Sequence, residues 1–526
     1  MTSPIVPALS YKYGALPYAM VPSITNAEKE EFYTRLQLLT RTRSYCLPDA
    51  SCMLNEIQQN RTDNTAYKTI TVAQFLAISL VRYDSLDVVA VNAEYVTPEM
   101  IQITIARNES TPNDNEQANA LKQVFTKHFV DHHIRHDWAK ISTERVFAED
   151  YLRCVLGWSL GRITSRLNTL IFAGSNKGGP KSLARAEKLL TVKKVIKAIE
   201  EYIESGKEVI ASATEINRRY TSGFIGKQMQ LRGDVPILNT MKSQGDTVFD
   251  VILSMLRSIK FEIGNFHRMR RLDDYDVSKF RSLTMVCDFL GASRIFEDVL
   301  DICVSNSFLA ARYQFCRSMR KVGVYRYGIH ILYKSMTSCA GKNIKMILVN
   351  TLRSPDNTPV TCREDWYEFV RQEFQKLTKH EFPITKAYLE ASTDLNKYET
   401  STLAALHAEL NLAISRRSQL KKSGEIGVSK DCCITCVAGL SALQRQGYSY
   451  TIKQSHAKPY VSRLTGVHSV DREIMKSVQH DFEEWLRRLD TRPDSDVSDH
   501  EGDLESVASE EEENLAAIHA THKVKK

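Results

Sequence analysis

No run of apolar residues in this 526-residue chain reaches the roughly 18–20 positions that a membrane-spanning helix needs, so no transmembrane segment is expected. The opening stretch, MTSPIVPALSYKYGALPYAM, lacks a basic segment followed by an apolar core. It does not read as a signal peptide, and an intracellular protein, cytoplasmic or nuclear and not secreted, is expected. Cysteine is sparse: eleven residues, an odd number, scattered except for Cys432, Cys433 and Cys436. Without export, that argues against a disulfide framework and for buried thiols in a reducing compartment, leaving one cluster to explain. On the same grounds the sequons at Asn60 and Asn108 are read as chance. No fixed-period repeat is present, which argues against a solenoid or propeller.

What is present is length, charge asymmetry and a change of texture. The length implies two or three domains. The net charge is +7, but residues 493–526 hold ten acidic residues against three Lys. That segment carries −7 and the remainder +14. A basic body suits a polyanionic partner, and equally an ordinary soluble body with a solvating tail. Its acidic part, DSDVSDHEGDLESVASEEEEN, has few apolar residues, so disorder is expected there. Ser498 and Ser509 each have an acidic residue three places on, the pattern of an acidophilic phosphorylation site.

Before the tail, residues 68–82 read as a helix. Ile101, Ile103 and Ile105 alternate with Gln102 and Thr104, the period of a half-buried strand. Val88–Val96 reads as its hairpin partner across a turn at Thr97-Pro98-Glu99. Helical patterns follow, with Leu190, Ile196, Ile199 and Ile203 on one stripe. Near residue 340 a short apolar strand, NIKMILVNTL, appears, followed by the amphipathic DWYEFVRQEFQKL. From Leu403 helices and strands alternate, ending in a helix with Ile474, Val478, Phe482, Trp485 and Leu489 on one face. That alternation implies a sheet covered by helices. The expectation is α/β: a mainly helical region over 1–330 with an early hairpin at about 88–105, a second domain over 331–492, and a tail over 493–526.

Within that second domain His407-Ala-Glu409 opens one helix and Cys433-Ile-Thr-Cys436 opens the next, with one strand between. Catalytic zinc takes three protein ligands and leaves a position for water. Cysteines at i and i+3 on a first helical turn reach one ion, and the helix N-terminus favours their thiolates. His407 supplies the third ligand. Glu409, two residues on, faces the water without binding metal and moves its proton. H-x-E followed by P-C-x-x-C is the layout of zinc-dependent nucleobase deaminases; here Cys432 stands where Pro is usual.

The segments HAELNLA, SKDCCITC and GYSYTIKQSHAKPY together resemble the nucleic acid/nucleotide deaminase-like family found in many fungi and in some bacterial toxins, an Orientia-type branch of the zinc-dependent cytidine deaminase-like superfamily. That branch shows H-A-E, then S-K-x-x-C-x-x-C, commonly without the Pro, then a strand leading to a T/S-H-G/A-K-like segment and an aromatic. Ser429, Lys430, Cys433 and Cys436 fall on the second motif, and Ser455, His456, Lys458 and Tyr460 near the third, with Ala457 in place of the more usual Gly. The resemblance covers residues 390–470. It implies a cytidine-deaminase-like α/β/α domain, a Zn2+ cofactor on His407, Cys433 and Cys436, and Glu409 as proton shuttle. It further implies Ser429, Lys430, His456 and Lys458 near the substrate, and hydrolytic deamination of a nucleobase in a nucleotide or nucleic acid.

Each feature has a plainer reading. His407 alone is as well a satisfied core histidine, and the cysteines small core residues. The domain is alternatively a zinc-stabilised interaction module without turnover, or the basic body binds nucleic acid with no metal. GSNKGGPKS approaches a phosphate-binding loop, but Pro180 separates Gly179 from Lys181, and it reads as an ordinary loop. His128, His132 and His136 at i, i+4 have no supporting Glu or Cys and read as a polar helix face. NFHRMRRLDD and RSMRKVGVYRYG interleave basic and aromatic residues, suiting either a phosphate track or a solvated helix face.

Overall fold

The computed structural model describes residues 23–42, 71–82, 87–97, 100–108, 113–131, 141–172, 189–206, 208–268, 277–305, 309–337, 342–349, 359–402, 404–419, 423–430, 432–452 and 460–490. Outside them lie the tail with Ser498 and Ser509, the GSNKGGPKS loop, His132, His136, His456, Lys458 and the expected turn residues Pro98 and Glu99. Helices α1 (Asn26–Arg41) and α2 (Val72–Ser79) precede a hairpin, β1 (Val89–Thr97) and β2 (Met100–Arg107). A helical run follows: α3 (Asp114–Phe125), α4 (Ile141–Ile171), α5 (Val192–Glu204), α6 (Val209–Thr221), α7 (Gly223–Met229), α8 (Asp234–Gln244), α9 (Val248–Arg268), α10 (Val277–Gly291), α11 (Arg294–Cys303) and α12 (Leu309–Thr337). Then come β3 (Asn343–Leu348), β4 (Val360–Thr361), α13 (Trp366–Thr378), α14 (Lys386–Ser392) and β5 (Ser401–Thr402). The chain ends with α15 (Ala408–Ser418), β6 (Ser423–Glu425), β7 (Gly427–Val428), α16 (Ile434–Arg445), β8 (Ser449–Thr451) and α17 (His468–Asp490). Helix therefore dominates an α/β fold with a small mixed sheet. Among the described residues no helix is long and apolar enough to cross a membrane.

The sheet runs β3-β2-β1-β7. β1 is antiparallel to both β2 and β7, and β2 is parallel to β3. β6 and β7 are separated only by Ile426; β6 pairs in parallel with β8, and Ile426 N–H reaches Thr451 O at 2.9 Å. One strand thus serves β1 with its second half and β8 with its first.

Strand alternation sends neighbouring residues to opposite faces. Val89, Val91, Ile101, Ile103 and Ile105 enter a core shared with α2 to α6 and α8 to α12. Ala90, Ala106 and Val428 enter another, with α1, α13, α15, α16 and α17. The sheet is thereby covered on both faces. This differs from the half-buried strand expected over 101–105: Gln102 and Thr104 are buried and hydrogen-bond each other at 3.3 Å, because α15 docks on their face. The hairpin and α1, grouped by texture with residues 1–330, contribute to the core of the last third of the chain. Local pattern cannot show a strand pair such as Ala90–Val428, which spans more than three hundred positions.

Close backbone approach fixes the layers. A Cβ on Gly427 would sit 2.0 Å from the backbone of Ala73 and Gln74, so α2 lies directly on β7. A Cβ on Gly439 would meet Leu410 Cδ2 at 2.5 Å, which sets how near α15 comes to α16. On the expected faces Ile196 and Ile199 of α5, Trp366, Phe369, Val370 and Phe374 of α13, and Ile474, Val478, Phe482, Trp485 and Leu489 of α17 are buried, while Leu190 and Ile203 are half-buried against the core that holds Ile196 and Ile199. The stretch RSMRKVGVYRYG lies within α12, where Arg320 ties Gly291 O at 2.6 Å and Glu297 at 2.9 Å; its basic groups brace helices. His128 is buried and faces Asp150 at 2.8 Å.

Candidate metal centre

Two helix N-termini meet on the second core. His407 is the N-cap of α15 and Cys433 the N-cap of α16, both with extended backbone. Cys436 lies one turn into α16. His407 Nδ1 is 3.2 Å from Cys433 Sγ and 3.3 Å from Cys436 Sγ, and the two sulfurs are 3.5 Å apart. The three donor atoms all lie within 4.8 Å of one another, and this group could hold a metal ion. The main chain of Val461 engages the His407 ring, leaving Nδ1 to the cysteines.

Glu409 is buried beside this triangle, Oε2 at 3.8 Å from Cys436 Sγ and Oε1 at 3.7 Å from Cys432 Sγ. Cys432 stands outside the three-residue group and has its thiol on the carboxylate. Electrostatics divide the protons unevenly. Burial pushes the Cys433 thiol up, but Cys436, His407 and a Thr435 hydroxyl at 2.8 Å outweigh it and hold Cys433 well below an ordinary thiol. Burial and the adjacent Cys433 push Cys436 well up. Burial also opposes charge on His407, yet the Cys433 thiolate raises the imidazole to about 9. Burial raises the Glu409 carboxyl, with His407 opposing. A cationic imidazole, one thiolate, one thiol and a carboxyl with raised affinity for a proton therefore share a small space.

The hairpin positions α15 at both ends. Asn108, just past β2, accepts the Ala408 N–H at 2.7 Å. At the far end Arg416 is fully buried, with Nη2 2.9 Å from Glu94 and 3.0 Å from Ser423 O, and Nη1 on Asn92. The sequence marked Asn108 only as part of a sequon; its contact with residue 408 leaves no local signal. Thr435 and Val461 were likewise not singled out.

His407, Glu409, Cys433 and Cys436 are thus brought together. Ser429 is not turned to a pocket: its hydroxyl accepts the Val89 N–H at 2.9 Å, and its own N–H reaches Val89 O. Lys430 is half-buried in the link from β7 to Cys432. Searches against protein-family models, curated proteins and solved structures found no match to this chain.

Proposed function

We propose that this protein is a zinc-dependent hydrolytic deaminase acting on a nucleobase, in a nucleotide or a nucleic acid. One observation carries the reading: a three-donor His/Cys/Cys set across two helix N-termini, with a buried carboxyl of raised proton affinity alongside it and outside that three-donor group. A structural zinc closes its sphere with four protein ligands and has no use for such a carboxylate.

The donor set fits zinc. Tetrahedral bonds of about 2.0–2.1 Å to nitrogen and about 2.3 Å to sulfur put neighbouring N and S donors about 3.6 Å apart and two S donors about 3.8 Å apart. The observed 3.2, 3.3 and 3.5 Å are a few tenths shorter, an expansion within side-chain rotation. Bound zinc would supply Lewis acidity that makes a water acidic near neutral pH. The chain does the rest. His407, Cys433 and Cys436 would hold the ion. Glu409, with its raised proton affinity, would take a proton from the water as its oxygen bonds to the amidine carbon. It would pass that proton to the ring nitrogen, then take the remaining proton of the added hydroxyl as the carbonyl forms and pass it to the departing amine, so the C–N bond breaks and ammonia leaves. The cytidine-deaminase-like reading of residues 331–492 is supported by the arrangement of a hairpin, an H-x-E helix, a strand, a C-x-x-C helix and a further parallel strand, with the hairpin supplied from residues 89–107.

The test is ammonia release from a panel of cytosine and adenine substrates, with Glu409→Gln beside wild type. The variant is expected to keep zinc and fold and to lose turnover by about 10²–10⁴-fold. Equal turnover in the variant overturns the mechanism. A zinc-loaded wild type inactive on the whole panel favours a non-catalytic interaction module.

A further inference from the structure

The opposite end of α15 carries an arrangement the zinc site does not use. Tyr448 precedes β8 and Tyr450 lies within it, two residues apart; their rings are 6.3 Å apart with planes within 20°. The Arg416 guanidinium lies 5.9 Å from the Tyr450 centroid, and that of Arg417 lies 5.8 Å from Tyr448. The two arginines differ in what else they hold. Arg416 is buried and neutralised by Glu94. Arg417 is half-buried, has no ion pair among the described residues, and its Nε is buried without a hydrogen-bond partner. Among the described residues β8 pairs with β6 alone.

We propose that this corner is a second contact surface for single-stranded nucleic acid, in which a base lies against the partly exposed Tyr448–Arg417 pair and Arg417 donates to a neighbouring phosphate. The chemistry selects that partner. An arginine within cation–π range of an aromatic ring places a cation beside a surface on which a base can stack, with spare N–H groups for a phosphate. The charge is complementary, since this arginine is not neutralised and the chain outside its acidic tail carries +14. α15 separates the corner from His407 by ten residues, roughly 15 Å. A strand of several nucleotides bridges that distance and a mononucleotide does not. The surface rests on the deaminase reading only for the purpose of bringing a strand to the zinc site; its binding stands apart from turnover.

The experiment uses the full chain and fluorescein-labelled 15-nucleotide single strands of one sequence, as DNA and as RNA, read by anisotropy across a salt series. Arg417→Gln is expected to weaken binding several-fold at 50 mM salt and to reduce the slope of log K against log salt by about 0.7. Tyr448→Leu, which keeps apolar packing but removes the π face, is expected to weaken it about 5- to 100-fold. Zinc content, melting temperature and turnover on a free nucleoside stay at wild-type values. Variants that bind both strands as wild type does overturn the proposal, as does a loss that only tracks lowered melting temperature. If the variants lose binding while wild type deaminates nothing, this surface stands and the deaminase reading falls. If wild type deaminates and the variants bind and process the 15-mer normally, the reverse holds.

Discussion

Zinc binding to this site should expel protons in a number that the geometry fixes. The metal needs a neutral imidazole and two thiolates. In the metal-free site Cys433 is held well below an ordinary thiol by Cys436, His407 and Thr435, so it gives up the fewest protons of the three. Cys436 keeps its proton, and His407, raised to about 9, is about 99% protonated at pH 7. Loading at pH 7 therefore releases about two protons from the ligands, plus a fraction from Glu409 as the cation opposes its raised proton affinity. The sign follows: protons compete with metal, so affinity rises with pH. Two protons make that rise about 100-fold, or roughly 2.7 kcal/mol, per pH unit. As pH passes about 9, His407 ceases to contribute and the slope falls by one. Calorimetric titration in two buffers of different ionisation enthalpy counts the protons, and chelator competition from pH 6 to 10 gives the slope. Glu409→Gln should bring the count to two. A release of less than one proton at pH 7, or an affinity independent of pH, refutes the ligand assignment.

Arg416→Ala should cost about 3–5 kcal/mol in urea unfolding, since it removes a buried guanidinium that pairs with Glu94 and holds the end of α15; Arg416→Lys should not restore the loss, because one compact ammonium on a shorter stem does not reach positions that Arg416 serves from two separate nitrogens, Nη1 for Asn92 and Nη2 for Glu94 and Ser423 O. Cys432→Ser should retain one zinc per chain by elemental analysis, because Cys432 faces Glu409 and lies outside the ligand group, whereas Cys433→Ala should lose it. Deleting residues 493–526 removes −7 of charge and should tighten nucleic-acid binding, most at low salt; equal affinity at 20 mM salt would show that the tail does not compete.

The grouping of these side chains was legible because its information is local: His407 and Glu409 are two apart, Cys433 and Cys436 three apart, and each pair lies at or near a helix start. The apolar faces of α13 and α17 were legible for the same reason, through a 3.6-residue period. What escaped was long-range. The polar alternation at Gln102 and Thr104 looked like a solvent face, and only α15, three hundred positions later, makes it an interior one. Ser429 carried a motif match, yet its hydroxyl is used to lengthen the β1–β7 pairing. Asn108 was invisible as a cap, since its partner is the backbone of Ala408, which has no side-chain signature.

That β1 waits for β7 has a consequence for synthesis. Translation proceeds from the N-terminus, and residues 72–348 contain the helices and the sheet face that form the first core. Those residues can condense while the opposite face of the hairpin, with Ala90, Gln102, Thr104 and Ala106, still lacks its cover. The cover, α15, and the strand that completes the edge of β1 emerge only after residue 400. Closure over so long a loop is intrinsically slow. The ligand cluster therefore assembles last, and nascent chains released before residue 436 should display a naked sheet face for chaperones and bind no metal.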